Sequence, residues 1–205
     1  MSQFTPTDTR IYNLISEFKI DDDIASVRPF GSGHINDTYR IVNSDPVGVD
    51  YLLQRINHHV FKDVPALMQN LLYVTRHLKQ KLSQIHGSDL EKEVITIVET
   101  HDGQPYFKDS EGNYWRVFHF LKNTRSYDQV TTEQQAYEGG KAFGRFQALL
   151  ADLDTSLIKD TIPDFHNIEW RLVKLEQAVV LDKVGKLSEV SPEVEFIRQR
   201  TGEMS

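Results

Sequence analysis

The sequence contains no cysteine, which excludes disulfides, thiolate metal ligands and a cysteine nucleophile. Basic residues are also scarce: 23 Lys and Arg stand against 30 Asp and Glu, which gives a formal net charge of −7. No segment is dominated by Lys or Arg, and a chain without a basic face is a poor candidate for binding nucleic acid or an anionic membrane. We therefore expect neither as a partner.

Long apolar runs are missing as well. No hydrophobic stretch reaches the length that a membrane-spanning helix requires. The first residues, Met1 to Pro6, lack the basic and apolar regions of a secretory signal peptide. We expect a cytoplasmic protein.

The first 122 residues show patterns typical of a β-rich unit with one main helix. A short helix is predicted over residues 10–18, and the strands are predicted at 24–30, 38–43, 51–56, 94–98, 104–108 and 114–121. The main helix begins near Asp63, a suitable N-cap, and Pro65 suits its first turn. Its apolar stripe consists of Leu67, Leu71, Val74, Leu78, Leu82 and Ile85.

Beyond residue 130 the patterns predict helices only. Thr131 and Gln134 resemble a capping box, and later helices are predicted over residues 168–180 and around Val190 to Ile197. Strands followed by helices indicate an α+β fold with an antiparallel sheet. We predict a sheet lobe over 1–122, a linker over 123–130 and a helical lobe over 131–205.

A glycine-containing loop lies between the first two predicted strands. Gly31 and Gly33 would let the backbone approach a phosphate, and Asn36 tolerates a positive φ where a third glycine would stand. Because a strand follows, the pattern favours a kinase-type loop over a Rossmann loop, which would open a helix. An ordinary β-hairpin with a flexible tip remains an equal alternative.

The third strand carries one cation, Arg55. Alternation places it on the face of Tyr51 and Leu53, opposite Leu52 and Gln54. Kinase-type folds use a strand cation at this point to hold phosphates, but a solvent-facing arginine fits the pattern too. Residues 63–82 contain no Glu for an ion pair, and their polar candidates are Gln69 and Asn70.

Three strings resemble one known family. They are Phe30 to Tyr39, Leu53 to Asn57 with Val60 and Phe61 close behind, and Thr124 to Asp128. Together they resemble the phosphotransferase enzyme family that includes the aminoglycoside phosphotransferases, with most similarity to the N-acetylhexosamine 1-kinases. The resemblance runs from about Ile11 to Arg200.

The resemblance implies a protein-kinase-like bilobal fold that uses ATP and Mg²⁺ to phosphorylate the anomeric hydroxyl of an N-acetylhexosamine. It places Arg125, Tyr127 and Asp128 near the entrance of the cleft, as candidate contacts of the substrate. In the nucleotide site that it implies, Gln54 or Arg55 takes the place of the phosphate-binding lysine, and Phe118 to Leu121 form the adenine hinge. The residues of that site are Gly31, Ser32, Gly33, His34, Asn36, Asp37, Thr38, Gln54, Arg55, Phe118, His119, Phe120 and Leu121.

The sequence departs from that family at one point. The family's catalytic loop has a His-x-Asp pattern followed by Asn and a metal-binding Asp, and no such pattern occurs here. We therefore expect a front half, inactive in isolation, with the catalytic residues and Mg²⁺ ligands further on. A non-catalytic pseudokinase-like module and one half of a split kinase are the alternatives.

Overall fold

The computed structural model describes residues 8–33 and 35–204. By compactness the chain divides into two units, and the division falls between Thr161 and Ile162 in the sequence. The first unit holds α1 (Asp8–Ile15), β1 (Ile24–Pro29), β2 (Asp37–Asn43), β3 (Tyr51–Ile56), α2 (Val64–Ser83), α3 (Leu90–Glu93), β4 (Ile97–Val98), β5 (Phe107–Lys108), β6 (Tyr114–His119) and α4 (Glu133–Leu150). The second unit holds α5 (Ile168–Leu181), α6 (Ser191–Arg198) and α7 (Thr201–Met204).

The sheet is antiparallel throughout, with strand order β1-β2-β3-β6-β4 and β5 paired to β6. The predicted α+β class with an antiparallel sheet is thereby confirmed. The predicted second and third strands of the 94–121 region are shorter than expected, since β5 covers only Phe107–Lys108 and β6 ends at His119.

Helix α1 covers one face of the sheet. Its Ile11, Leu14 and Ile15 are buried against strand residues that include Leu53 and Trp115. Burial of each such side chain contributes roughly 1.5–3 kcal/mol. The predicted helix end at Phe18 is wrong, because the helix ends at Ile15 and Phe18, fully buried, forms a β-bridge with Thr100.

Helix α2 packs near the other face. Asp63 caps it by accepting a hydrogen bond from the Ala66 amide at 2.9 Å, as predicted, and Pro65 lies in its first turn. The predicted apolar stripe is partly wrong. Met68 is fully buried beside Ile56, whereas Ile85 lies beyond the helix and is 44% exposed.

The segment 94–98 differs most from its prediction. Only Ile97–Val98 pairs with β6, and the short helix α3 precedes it. Val94 packs instead against Leu78 and Leu82 of α2. This β-branched segment is therefore divided between two kinds of contact. Val94 packs against helix α2, whereas Ile97 and Val98 belong to the sheet.

Helix α4 begins one residue later than predicted. Thr132 is its N-cap, and Gln135, not Gln134, completes the capping box. Because Thr131 and Thr132 are adjacent, the sequence allows either one to be the N-cap, and only the structure shows which one is. Leu149 and Leu150 of α4 pack against the cluster of Leu78, Leu82 and Val94.

The predicted functional division into 1–122, 123–130 and 131–205 is not the division by compactness and stays a prediction. The first compact unit includes α4, and the second, from Ile162, is helical. Across the described parts of the chain, no helix combines the length and apolarity needed to traverse a bilayer.

Candidate functional site

The glycine loop is held at its base and exposed at its tip. At the base, the Phe30 amide donates to the Thr38 carbonyl at 2.9 Å, and Asn36 Oδ1 accepts from the Asn57 amide at 2.9 Å. Gly31 has φ of +84°, a conformation that favours glycine. The loop leads into β2, as predicted. His34 lies outside the described residues.

Arg55 and Gln54 lie on opposite faces of β3, as alternation predicted. Arg55 Nε donates to Asp37 Oδ2 at 2.7 Å, so this arginine is paired with a carboxylate. Gln54 belongs to the face near α2, where its Nε2 donates to Thr38 Oγ1 at 3.1 Å. The predicted polar partners on α2 do not meet either residue: Gln69 is exposed, and Asn70 binds the backbone of Lys159.

Thr38, Gln54 and Arg116 form a polar row across three neighbouring strands. Thr38 is directly opposite Gln54, and Gln54 is directly opposite Arg116. Gln54 Oε1 accepts from Arg116 Nε at 2.9 Å and from Nη2 at 2.6 Å. Burial lowers the pKa of Arg116 to about 10, so the side chain stays charged at neutral pH.

The next row along the same face is Arg40, Leu52 and Phe118, again directly opposite one another. It lines a cavity of about 900 Å³, together with Phe30, Phe120 and residues 121–126. A cavity of this size and mixed lining suits a small organic ligand. Phe30 and Phe120 meet edge to face, with ring centroids 5.2 Å apart, which builds an aromatic wall.

Asp50 is one of the residues that line this cavity, and it is only 2% exposed. Its carboxylate accepts from Arg40 Nη2 at 2.6 Å, from the Asn43 amide at 3.2 Å and from Lys122 Nζ at 3.1 Å. Burial alone would raise the pKa of Asp50, but the hydrogen bonds from Arg40, Asn43 and Lys122 outweigh it and lower the pKa. The carboxylate therefore stays ionised and joins β2 to the segment after β6.

The predicted adenine hinge, Phe118 to Leu121, spans the end of β6 and the start of that segment. Phe118, His119, Phe120 and Leu121 all line the cavity. The His119 amide, however, donates to Thr96 and the Phe120 amide to Asp50, so the sheet already uses both. These two amides are therefore not free to donate to a base.

The three predicted acceptor-side residues are exposed. Arg125 lines the cavity and stacks over the Tyr127 ring, with its guanidinium carbon 5.0 Å from the ring centroid. Asp128 Oδ1 accepts a hydrogen bond of 3.4 Å from Ser32 Oγ. The structure thus brings the glycine loop and the segment 123–130 into contact.

Four residues of this region escaped the sequence analysis: Arg40, Asp50, Arg116 and Lys122. Arg116 carried a usable signal, because it stands in a strand of otherwise aromatic and aliphatic residues. The partners of the others depend on strand register, which single-strand patterns do not contain. The described residues hold no group of three or more His, Cys, Asp or Glu that could bind a metal ion, so we assign no Mg²⁺ ligand among them.

Two comparisons with known proteins bear on this geometry. The structure is similar to the crystal structure of spectinomycin phosphotransferase in complex with ADP and spectinomycin, with a TM-score of 0.54 and 15% identity. The match covers 97% of this chain and 55% of the other, so this chain spans about half the length of that enzyme. The sequence profile of the phosphotransferase enzyme family matches residues 26–196. The chain therefore belongs to the phosphotransferase enzyme family.

Proposed function

We propose that this chain is the nucleotide-binding part of an ATP-dependent small-molecule kinase. The observation that carries the proposal is the cavity on the α2-facing side of the sheet, lined by the row Arg40, Leu52 and Phe118 and by the hinge segment. A cavity whose mixed lining includes the aromatic side chains of Phe30, Phe118 and Phe120 suits a flat base. The family membership supports phosphoryl transfer.

This arrangement offers a place for the base and a place for the phosphates of ATP. The base would occupy the cavity beside Leu52 and Phe118, and the phosphates would extend toward the polar row and the glycine loop. The exposed tip from Gly31 to Gly33 carries little side-chain bulk there. The bound nucleotide supplies the phosphoryl group, and the residues described here bind and orient it.

The acceptor we propose is a sugar hydroxyl, in particular the anomeric hydroxyl of an N-acetylhexosamine. The support is the sequence resemblance in Phe30 to Tyr39, Leu53 to Asn57 and Thr124 to Asp128. Arg125, Tyr127 and Asp128 are the candidate acceptor contacts, since Arg125 lines the cavity and Asp128 meets the glycine loop. We propose Mg²⁺ as the companion of the nucleotide.

The test of nucleotide binding is calorimetric titration of the 205-residue chain with Mg·ATP. We expect saturable binding, weakened about tenfold or more in Gly33→Val, because a branched side chain stiffens and fills the loop tip. A Cβ at Gly33 meets nothing within 4 Å, so the variant should melt like the wild type. No binding by the wild type would refute the proposal, and unchanged affinity in Gly33→Val would remove the loop from the site.

The acceptor is tested separately. The gene product that carries this chain is incubated with Mg·ATP and a panel of N-acetylglucosamine, N-acetylgalactosamine, glucose and spectinomycin. We expect phosphorylation of the two N-acetylhexosamines. Transfer to spectinomycin alone would support the proposed kinase activity and contradict the proposed sugar acceptor. The isolated 205-residue chain should bind nucleotide but transfer nothing.

A further inference from the structure

Three partly buried arginines project from the middle strands of the sheet, and they differ in their partners. Arg40 is held by the buried carboxylate of Asp50. Arg55 is held by Asp37. Arg116, among the residues that the structure describes, lies within ion-pair distance of no carboxylate.

The contacts of Arg116 are all neutral. Gln54 Oε1 accepts from Nε and Nη2, Met68 Sδ lies 3.6 Å from Nη1, and the guanidinium carbon lies 5.0 Å from the centroid of the Phe118 ring. A thioether sulfur is a weak acceptor. Nη1 therefore retains donor capacity, and the charge of the guanidinium is not compensated.

Keeping a cation in a partly desolvated position is unfavourable unless an anion joins it. Burial lowers the pKa of Arg116, in keeping with the finding that no carboxylate among the described residues lies within ion-pair distance of it. The side chain keeps some exposure, so a ligand can reach it. A planar guanidinium suits phosphate oxygens in particular, because its N–H groups can donate to two oxygens at once.

The position of Arg116 matches the direction in which a nucleotide would extend. Its row lies two residues along the strands from the row of Leu52 and Phe118, which is roughly 7 Å at the rise of a β-strand. The other end of the row is Thr38, the residue that closes the glycine loop. Base cavity, Arg116 and loop therefore follow one another on the same face.

We propose that Arg116 binds a phosphate of the nucleotide and that Gln54 positions its guanidinium. This rests on the proposed function. Gln54 is suited to that role because its neutral carbonyl fixes Nε and Nη2 without neutralising the charge, while its amide is tied to Thr38. The phosphate-binding cation thus stands on β6, one strand away from the position that the sequence indicated.

The experiment compares the affinities of adenosine, ADP and ATP, each titrated with Mg²⁺ into the 205-residue chain. In Arg116→Met we expect a loss of about 10- to 100-fold for ATP, as for a charge-assisted hydrogen bond. Adenosine affinity should change less than about twofold, since it has no phosphate. Arg76→Met is the matched control, because Arg76 is an exposed cation of α2, and ATP affinity should stay at the wild-type value.

A second variant keeps the test decisive if Arg116→Met fails to fold. Gln54→Glu preserves shape but offers Arg116 a carboxylate, so ATP affinity should fall about tenfold while the nucleotide-free chain melts no lower than the wild type. Wild-type binding with unchanged ATP affinity in either variant would overturn this inference alone. Absence of Mg·ATP binding by the wild type would overturn the proposed function and this inference with it.

Discussion

Gly48 and Gly33 look alike in the sequence, since each lies in a short polar loop between two strands. Their surroundings differ. A Cβ at Gly48 would lie 2.5 Å from Asn43 Nδ2, whereas a Cβ at Gly33 meets nothing within 4 Å. Asn43 is buried, and its side chain is fixed by hydrogen bonds to the Val49 carbonyl and the Asp45 amide. Only Gly48 is therefore required by packing.

We predict that Gly48→Ala destabilises the chain by about 1–3 kcal/mol, because the buried Asn43 side chain cannot move without losing its hydrogen bonds. Thermal unfolding measures the effect, with Gly33→Ala as the control that should melt within a degree or so of the wild type. Equal melting temperatures for both variants would contradict the packing argument.

Single residues of the site were predictable where the local pattern is sufficient. The glycine loop, its strand neighbours and the alternation of Gln54 and Arg55 could be predicted from spacing alone. Arg116 stands out in its strand, but its hydrogen bond to Gln54 could not be predicted, because the two residues are 62 positions apart in the sequence. Asp50 looked like a loop residue, yet it is buried because Arg40 and Lys122 converge on it from elsewhere in the chain.

At the scale of elements, the loop between β2 and β3 is tied to the segment that follows β6. Lys122 Nζ donates to the carbonyls of Pro46 and Gly48 and also contacts Asp50. These contacts of Lys122 fix the position of the segment after β6 beside the cavity. Two of these acceptors are backbone carbonyls, which a side-chain substitution does not remove. The contribution of the third acceptor, the Asp50 carboxylate, can be tested by substitution.

We predict that Asp50→Asn lowers the free energy of unfolding by about 3 kcal/mol at neutral pH, as expected for breaking a buried ion pair. The folded pKa of Asp50 is lowered, so its contribution is complete above the ordinary carboxyl value of about 3.9 and is lost as the pH falls through the folded pKa. Denaturant unfolding at several pH values should give a constant difference between wild type and variant above about pH 5 and a smaller one below about pH 4. A difference that grows on acidification would contradict this assignment.

Elements were predicted best where one periodicity covers the whole segment, as in β3, whose predicted bounds are those of the structure. The strand prediction for segment 94–98 was partly wrong because β-branched residues suit both a strand and a contact with a helix, and Val94 packs against helix α2. The N-terminus of α4 failed by one residue because Thr131 and Thr132 are chemically equivalent caps. Tertiary packing decides such cases, and a single sequence does not contain it.

For the molecule as a whole, the second compact unit is notable for its exposed apolar side chains. Val180 is 82% exposed and Leu181 60%, and both line a groove of about 660 Å³ together with Leu172, Val173 and Ile197. Large exposed apolar patches are uncommon on soluble monomers and promote association.

We predict that the 205-residue chain binds a hydrophobic dye or self-associates, and that Val180→Asp combined with Leu181→Lys reduces both effects. The double variant should melt close to the wild type, because exposed side chains contribute little to stability. Light scattering and dye fluorescence are the measurements. A monomeric wild type without dye fluorescence would exclude this groove as an adhesive surface.

The uncompensated charge of Arg116 has a consequence for handling the protein. A partly buried guanidinium without a bound anion lowers the stability of the nucleotide-free chain. An anion that binds to it in the folded state shifts the folding equilibrium toward that state by mass action. Phosphate or sulfate buffers should then raise the melting temperature more than chloride does at equal ionic strength. Because sulfate and phosphate also stabilise folded proteins in general, the share that is due to Arg116 is the part of the increase that Arg116→Met loses.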